Sequence, residues 1–239
     1  MNGQQDRRAA IFGASGGIGS ALVAALTRRG FNVLAGSRSG EDIADGEGFA
    51  FDLTSEESIA AAVASWKDDP PHLVIVATGA LTLPHGTEPE KSYRSLDAEA
   101  MKRTFELNTI GPALVAKHVL PLFPRADRSV FAVLSARIGS IADNRIGGWH
   151  SYRASKAALN MIVRNLAVEL GRTHPLAVVA ALHPGTVDTK LSRPFQRNVP
   201  DSQLFSSDRS AAALLDVIDG LQPADSGGLF AWDGQRIPY

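Results

Sequence analysis

The feature that most constrains the fold is a glycine-rich stretch between a short apolar run and a helical segment. Residues 9–12 are apolar, the sequence Gly-Ala-Ser-Gly-Gly-Ile-Gly follows at 13–19, and apolar residues recur at helical spacing over 18–29. Residues 31–36 then have the pattern of a second strand. A strand, a glycine loop, a helix and a strand within about thirty residues have the length of a βαβ unit. The stretch therefore predicts a parallel sheet.

The same alternation continues along the chain. We predict further strands at 49–51, 73–77, 130–134, 176–182 and 229–232, and further helices at 55–67 with Thr54 as the cap, within 97–121, at 152–172 and at 210–221. This alternation is typical of an α/β fold in which helices cover both faces of the sheet. We expect one domain over residues 1–239, a Rossmann-type doubly wound parallel sheet in three layers.

Two segments fall outside this alternation. Residues 79–96 and 184–207 are rich in proline, serine, threonine and charged residues. Loops of this length inside a compact domain are uncommon and often form lids or binding loops. We expect both segments to contact substrate.

Composition excludes several classes of function. The 24 Lys and Arg residues nearly balance the 25 Asp and Glu residues, so we expect neither nucleic acid nor an anionic membrane as a partner. Without cysteine the chain has no disulfide and no thiolate, and its six histidines lack the spacing of a metal site. The polar start of the chain has no apolar signal-peptide core. We therefore expect no metal and a cytoplasmic location.

The glycine loop itself predicts a nucleotide site. Glycines at positions 13, 17 and 19 allow a tight turn and bring backbone N–H groups near a pyrophosphate at a helix N-terminus. Their G-x-x-x-G-x-G spacing differs from the common G-x-G-x-x-G fingerprint, although the mechanism is the same. The alternative is a simple turn. The predicted contacts are Gly13, Ser15, Gly16, Gly17, Ile18 and Gly19.

The end of the second strand favours NADP(H) over NAD(H). An acidic residue there would bind the ribose 2′-hydroxyl of NAD, whereas this chain has Ser37 and Arg38. A guanidinium suits a 2′-phosphate, and such a charge-assisted contact contributes about 1.5–3 kcal/mol. The alternative is an exposed Arg38 without a partner. Asp52 and Leu53, at the end of the third strand, are predicted to contact the adenine.

Tyr152 and Lys156 form the candidate catalytic pair. A four-residue separation places both side chains on nearly the same face of a helix. A nearby ammonium favours the phenolate, and bringing a tyrosine pKa from roughly 10 to near neutrality requires about 4 kcal/mol. We expect a second positive charge, such as an oxidised nicotinamide, to assist the lysine. The alternative is a chance spacing of the two residues.

These motifs together resemble the short-chain dehydrogenase/reductase family along essentially the whole chain. The resemblance is carried by the glycine loop, Asp52, Asn108, the pair Tyr152 and Lys156, and Pro184-Gly185. Residues 135–141 and 230–234 resemble its C-factor-like and sniffer-like carbonyl reductase branch. The resemblance implies hydride transfer between a nicotinamide and a carbonyl or secondary alcohol. A regulatory or signalling protein with weak or no catalysis is the alternative.

The resemblance also implies roles for individual residues. Tyr152 would be the general acid or base, Lys156 would lower its pKa and bind the nicotinamide ribose, and Asn108 would hold a water of a proton relay. The residues implied at the nicotinamide and along the rest of the cofactor are Gly79, Pro184, Gly185, Thr186, Val187 and Thr189.

The chain departs from the family pattern at two places. Val76-Ala77-Thr78-Gly79 replaces Asn-Asn-Ala-Gly, and 135–139 place an alanine where the substrate-polarising serine is usual. Ser135 would serve if the strand end were shifted by one residue. Ser140 and no serine at all are the alternatives.

The remaining expectations concern partners. We expect a small carbonyl or alcohol substrate beside an apolar wall formed by Trp149, Phe195, Leu191 and Leu81. The family resemblance implies a homodimer or homotetramer in which the helices with Tyr152 and Asn108 pack against a second copy. An alanine-rich face, Ala154, Ala157, Ala158 and Met161, would suit that contact. The alternative is that this face packs on its own sheet.

Overall fold

The computed structural model describes residues 7–83, 86–197 and 200–239. Its strands are β1 (Arg8–Phe12), β2 (Asn32–Ser37), β3 (Glu47–Ala50), β4 (Leu73–Val76), β5 (Ser129–Leu134), β6 (Ala177–His183), β7 (Thr186–Val187), β8 (Leu204–Phe205), β9 (Leu229–Ala231) and β10 (Arg236–Ile237). Its α-helices are α1 (Gly17–Arg28), α2 (Glu56–Ala64), α3 (Ala98–Phe105), α4 (Gly111–Val119), α5 (His150–Leu170) and α6 (Ser207–Gly220).

Eight of the ten strands form one sheet in the order β3-β2-β1-β4-β5-β6-β9-β10, and β7 and β8 form a separate pair. Among the described strands of the large sheet only β10 is antiparallel, where it pairs with β9 at the edge. The central strands are buried on both faces, which explains why they are almost continuously apolar. The order reverses direction between β1 and β4, and ligands of such sheets bind at this switch point. The predicted doubly wound sheet is confirmed.

A hydrophobic core lies on each face of the sheet. Phe131 and Val133 of β5 pack with α2, α4 and α5, whereas Val130 and Ala132 pack with α1 and α6. Side chains of a strand point alternately to its two faces, so one apolar strand contributes to both cores. The result is the expected three-layer arrangement.

Several boundaries differ from the predictions. The cap of α2 is Ser55, whose hydroxyl accepts a hydrogen bond from the Ser58 N–H at 3.2 Å, whereas Thr54 bonds to Asp52 instead. The predicted helix within 97–121 contains a π-helical turn at Glu106–Ile110. The α6 helix begins earlier than predicted because Ser206 caps it.

The long segment 184–207 also contains more structure than expected, because strands β7 and β8 pair with each other inside it. Outside both long segments, β10 adds a two-residue edge strand. Such short strands carry too few residues to show a period-two pattern in the sequence. Within the described ranges, no helix combines the length and apolarity that crossing a membrane requires.

Candidate active site

The glycine loop joins β1 to α1 at the carboxyl edge of the sheet. Gly13 has a positive φ of 91°, and its N–H donates to the Gly36 carbonyl at 3.0 Å. A Cβ added at Gly19 would lie 2.1 Å from the Gly13 carbonyl oxygen, so the first turn of α1 packs directly on the loop. A Cβ added at Gly17 would lie 2.9 Å from Thr189 Cγ2. Small residues therefore let the loop, the helix and the 184–207 segment meet.

A cleft of about 390 Å³ begins at this loop and follows the carboxyl ends of β1, β2 and β4. Its lining includes many of the predicted cofactor contacts, namely Gly13, Ser15, Gly16, Ser37, Arg38, Asp52, Leu53 and Gly79. Gly17 and Gly19 lie in the first turn of α1, at the position where a helix N-terminus favours a phosphate. The cleft therefore suits the adenosine and pyrophosphate part of a dinucleotide.

Three charged side chains lie at the outer end of the cleft. Asp52 accepts hydrogen bonds from the Thr54 N–H at 2.9 Å and its hydroxyl at 2.8 Å, and these bonds lower the Asp52 pKa. The positive charges of Arg103 and Arg38 lower this pKa further. Sequence analysis missed Arg103, which lies on α3 and reaches the cleft only through the tertiary fold.

The pair Tyr152 and Lys156 lies near the start of α5, behind Gly79, the residue that marks the inner end of the cleft. Both side chains are buried, and the Lys156 Nζ lies 5.9 Å from the centre of the Tyr152 ring. Nζ donates a hydrogen bond to the Leu134 carbonyl at 2.8 Å. A Cβ added at Gly79 would lie 3.4 Å from Nζ and 3.2 Å from Asn108 Oδ1. The fold thus brings together Tyr152 and Lys156 of α5, Asn108 of the π-helical turn and the predicted cofactor contact Gly79.

Burial controls the protonation of this pair. Loss of hydration raises the pKa of Tyr152 to about 12 and lowers the pKa of Lys156 to about 8. The expected lowering of the Tyr152 pKa is therefore not found in the chain without cofactor. Desolvation of the phenolate has a larger effect on this pKa than the attraction of the Lys156 ammonium. A further positive charge beside the phenol is needed to reverse the shift.

Asn108 lies in the π-helical turn and its side chain is fully engaged. Oδ1 accepts from the Ala80 N–H at 2.8 Å, and Nδ2 donates to the Ala80 carbonyl at 2.8 Å and to Ser155 Oγ at 3.2 Å. Single π-helical turns occur frequently at functional sites. The amide group fixes the start of the 79–96 segment, so the predicted relay water would have to bind the Asn108 backbone.

Neither candidate serine presents a hydroxyl as expected. The β5–β6 pairing continues without a shift, because the Ser135 N–H donates to the Leu182 carbonyl at 2.8 Å. Ser135 therefore points into the core and donates to Asn160 Oδ1 at 2.7 Å, while Ala136 takes the partly exposed position. Ser140 is buried and accepts from the Asp143 N–H at 3.1 Å. This geometry opposes the shifted strand end on which the Ser135 assignment depends.

Part of the predicted apolar wall is present. The Trp149 ring packs edge-to-face on Phe195, with 5.0 Å between ring centres, and on Tyr152 at 6.3 Å. Leu81 and Tyr152 line a small cavity beside this group, whereas Leu191 is exposed. Trp149 itself has a left-handed backbone conformation, with φ of 50°.

The alanine-rich face of α5 does not pack on its own sheet. Ala154 and Met161 are exposed, and Ala157 and Ala158 are half-buried. Apolar side chains close to this face, such as Val168, are also exposed. The alternative that this face packs on its own sheet is therefore wrong.

The chain is similar in sequence to known proteins of one family. A sequence profile of the family described as short chain dehydrogenase matches residues 7–200. The chain is 38% identical over 144 residues to C-signal of Myxococcus xanthus, covering 60% of this chain and 81% of C-signal. It is 32% identical over 236 residues to 1-hydroxy-2-glutathionyl-2-methyl-3-butene dehydrogenase of Rhodococcus sp. (strain AD45), covering 96% and 98% of the two chains.

A solved structure gives the same result for the fold. A short-chain dehydrogenase/reductase from Burkholderia multivorans with bound NADP superposes with a TM-score of 0.81 at 25% identity. The alignment covers 98% of this chain and all of that one. The matches to sequences and structures confirm the family and the branch that the motifs predict.

Proposed function

The chain belongs to the short-chain dehydrogenase/reductase family, and on that premise we propose that it uses NADP(H) to interconvert a carbonyl compound and a secondary alcohol. Family membership makes it an NAD(P)-dependent oxidoreductase. The observation that carries the finer proposal is the grouping of Tyr152, Lys156 and Asn108 beside Gly79, at the inner end of a cleft whose outer end contains Arg38.

Different residues along the cleft have different roles in this proposal. The glycine loop and the N-terminus of α1 would hold the pyrophosphate, and the nicotinamide, when bound, supplies or accepts the hydride. Tyr152 donates the proton of its hydroxyl to the substrate oxygen during reduction and accepts a proton during alcohol oxidation. Lys156, anchored by the Leu134 carbonyl, would bind the ribose and favour the phenolate.

The unusual pKa of Tyr152 suits this role. Because burial keeps the phenol protonated well above neutral pH, the proton is in place for carbonyl reduction. An oxidised, positively charged nicotinamide would favour the phenolate that alcohol oxidation needs. The protein excludes water from the phenol, and the charge of the bound cofactor determines whether Tyr152 donates or accepts a proton.

The preference for NADP(H) rests on charge. Arg38 and Arg103 lie at the outer end of the cleft, where Asp52 lowers the net positive charge that they provide. Two guanidinium groups suit a 2′-phosphate better than a neutral hydroxyl. The Burkholderia multivorans relative with bound NADP supports the same preference.

The substrate oxygen is held without Ser135 in this proposal. Its hydroxyl is committed to Asn160, and Ala136 occupies the partly exposed position beside it. Tyr152 is then the principal donor to that oxygen, because Ser140 is buried as well. An enzyme of this kind transfers hydride more slowly than one with an additional hydroxyl donor.

The test is a panel of aldehydes and ketones with NADPH or NADH, followed by the absorbance of the reduced nicotinamide. We expect turnover of at least one carbonyl compound and faster turnover with NADPH. The same panel with secondary alcohols and NADP⁺ gives the reverse reaction. Tight NADPH binding without turnover on any member would contradict the proposal.

A regulatory or signalling protein is the second candidate. The alanine at position 136 and the similarity to C-signal favour it. Under this alternative the cleft would bind NADPH as a ligand, and Tyr152 and Lys156 would keep their positions without acting on a substrate. The substrate panel separates the two, because only the enzyme consumes the reduced cofactor.

We infer that the exposed face of α5 binds a second copy of the chain. Met161 is 60% exposed, Ile110 50% and Val168 48%, so apolar surface lies on and beside this helix. Small residues such as Ala154 permit close helix packing at this surface. Light scattering should give the mass of a homodimer or homotetramer, and a monomer mass would exclude this contact.

A further inference from the structure

The start of α5 is capped from a separate part of the chain. Glu90 lies in the segment between β4 and α3, and its side chain is buried, with 8% of the residue exposed. Oε2 accepts a hydrogen bond from the Ser151 backbone N–H at 3.1 Å, and Oε1 accepts one from the Ser151 hydroxyl. Both oxygens of a buried carboxylate are thus used on the residue that precedes Tyr152.

The backbone of Glu90 reinforces this contact. Its carbonyl accepts a hydrogen bond from the Trp149 N–H at 2.5 Å. The preceding Gly148 has a positive φ, and a Cβ there would lie 3.6 Å from the Lys91 carbonyl oxygen. The two segments therefore run side by side, and Glu90 bonds to residues at both 149 and 151.

The helix has no cap of its own at this end. Trp149 occupies the N-cap position in a left-handed conformation, and its side chain makes no capping hydrogen bond in the described structure. The first turn of α5 contains no acidic residue. A helix N-terminus has unpaired N–H groups and favours a negative charge, and Glu90 supplies both the acceptor and the charge.

This cap lies directly beside the groups that contact substrate in the proposed function. Tyr152 follows Ser151, and Trp149 packs on both Tyr152 and Phe195. Asn108 fixes the beginning of the same segment through Ala80, and Glu90 fixes its later part. The segment that contains both contacts is therefore attached to α5 and to the π-helical turn at two separate points.

We propose that Glu90 is a positioning residue, whose carboxylate caps α5 and sets the place of Tyr152 and Trp149 relative to substrate. The proposal rests on the proposed role of Tyr152 as proton donor. The Glu90 side chain bonds to Ser151 and does not line the cofactor cleft, so its effect passes through Ser151. Small displacements of a catalytic group reduce the rate of chemistry much more than they reduce cofactor binding at a distant loop.

The test compares Glu90→Ala, Glu90→Gln and Ser151→Ala with Glu88→Ala as the matched control. Glu88 is two residues away, exposed, and paired only with Lys91 at 3.6 Å among the described ion pairs. In Glu90→Ala we expect kcat for a carbonyl substrate to fall about tenfold while the Kd for NADPH stays within about twofold. Gln still offers an oxygen to the Ser151 N–H, so Glu90→Gln should recover most of kcat.

Amide hydrogen exchange provides a readout independent of catalysis. Backbone amides at 151–153 should exchange about fivefold faster in Glu90→Ala, and Glu88→Ala should match the parent chain. The double variant with Ser151→Ala should lose no more kcat than Glu90→Ala alone, because Glu90→Ala already removes the bond that Ser151→Ala would remove.

Three results would overturn the proposal. These are unchanged exchange at 151–153 in Glu90→Ala, an equal loss of NADPH affinity and kcat, or equal effects of Glu88→Ala. If the parent chain turns over no substrate, the proposed function fails while the exchange data still decide whether Glu90 caps α5. If Glu90→Ala does not fold, Ser151→Ala replaces it, because this change removes the hydroxyl bond to Glu90 Oε1. Its kcat should then fall in the same direction, and an unchanged kcat together with unchanged exchange at 151–153 would overturn the proposal.

Discussion

The two ends of the cleft are built by different physical means. At the outer end, Arg38, Asp52 and Arg103 are exposed charged residues around a loop shaped by glycine. At the inner end, Tyr152 and Lys156 are buried, and loss of hydration dominates the pKa of each. In the proposed function, exposed charge would select the cofactor, whereas desolvation would prepare the proton transfer. Substitutions should therefore affect one end without affecting the other.

Replacing Tyr152 with phenylalanine should have the largest effect. The change removes only the hydroxyl, so general acid catalysis is lost and kcat should fall by about 10²–10⁴. Isothermal titration should give a Kd for NADPH within about twofold of the parent value, because the cofactor contacts of the outer end are untouched. Full activity of Tyr152→Phe would exclude the hydroxyl as the proton donor.

The second prediction concerns the pH dependence of stability at the inner end. The Lys156 pKa falls from 10.5 to about 8 on burial, so between these values the unfolded chain binds more protons than the folded chain. The free energy of unfolding should therefore rise with pH across this window, by up to about 3 kcal/mol.

Urea titrations of the cofactor-free protein at a series of pH values measure this slope. Lys156→Met should remove the contribution, whereas Lys102→Met should leave it, because the Lys102 side chain is 72% exposed. An identical pH slope in the parent chain and Lys156→Met would show that the ammonium is not desolvated in the folded state.

The third prediction tests the outer end. Arg38→Ala should lower the affinity for NADPH relative to NADH about 10- to 100-fold, because a charge-assisted contact to the 2′-phosphate is lost. With saturating cofactor, kcat should stay close to the parent value. Titration with both cofactors measures the ratio, and Arg94→Ala serves as the control because Arg94 is exposed outside the cleft. An unchanged ratio would remove Arg38 from cofactor selection.

The smallest expected effect on activity belongs to Ser135→Ala. The change leaves Asn160 Oδ1 without its donor and should cost about 1–3 kcal/mol of stability, measured by urea unfolding. A hydroxyl that polarised the substrate would instead cost about 10²–10³ in kcat, whereas we expect a change within about threefold. A large loss of kcat would show that the Ser135 hydroxyl takes part in catalysis.

Much of the site could be predicted because it depends on local sequence. The glycine loop requires a turn that only small residues permit, and the spacing of Tyr152 and Lys156 places both on one helical face. The alternation of apolar runs and helical segments likewise predicts the sheet from short stretches of sequence. These features involve residues that are close in the chain, and the structure confirms the fold they imply.

The rest depends on contacts between distant segments. The capping of Ser151 by Glu90 and the binding of Ala80 by Asn108 join residues far apart in the sequence. Nothing in the pattern around Glu90 distinguishes a buried carboxylate from an exposed one. The direction of Ser135 likewise depended on whether the β5–β6 register shifts by one residue, which only the paired strands decide.

Most of the groups in the proposed site lie on the 21-residue helix α5 or bond to it. Tyr152 and Lys156 lie on it, Ser155 bonds to Asn108, and Asn160 bonds to Ser135. Because these groups lie on α5 or bond to it, mild heating should not displace them one at a time. Thermal inactivation should instead coincide with cooperative melting of the whole molecule, and a preceding loss of activity would locate the weak point in the surrounding loops.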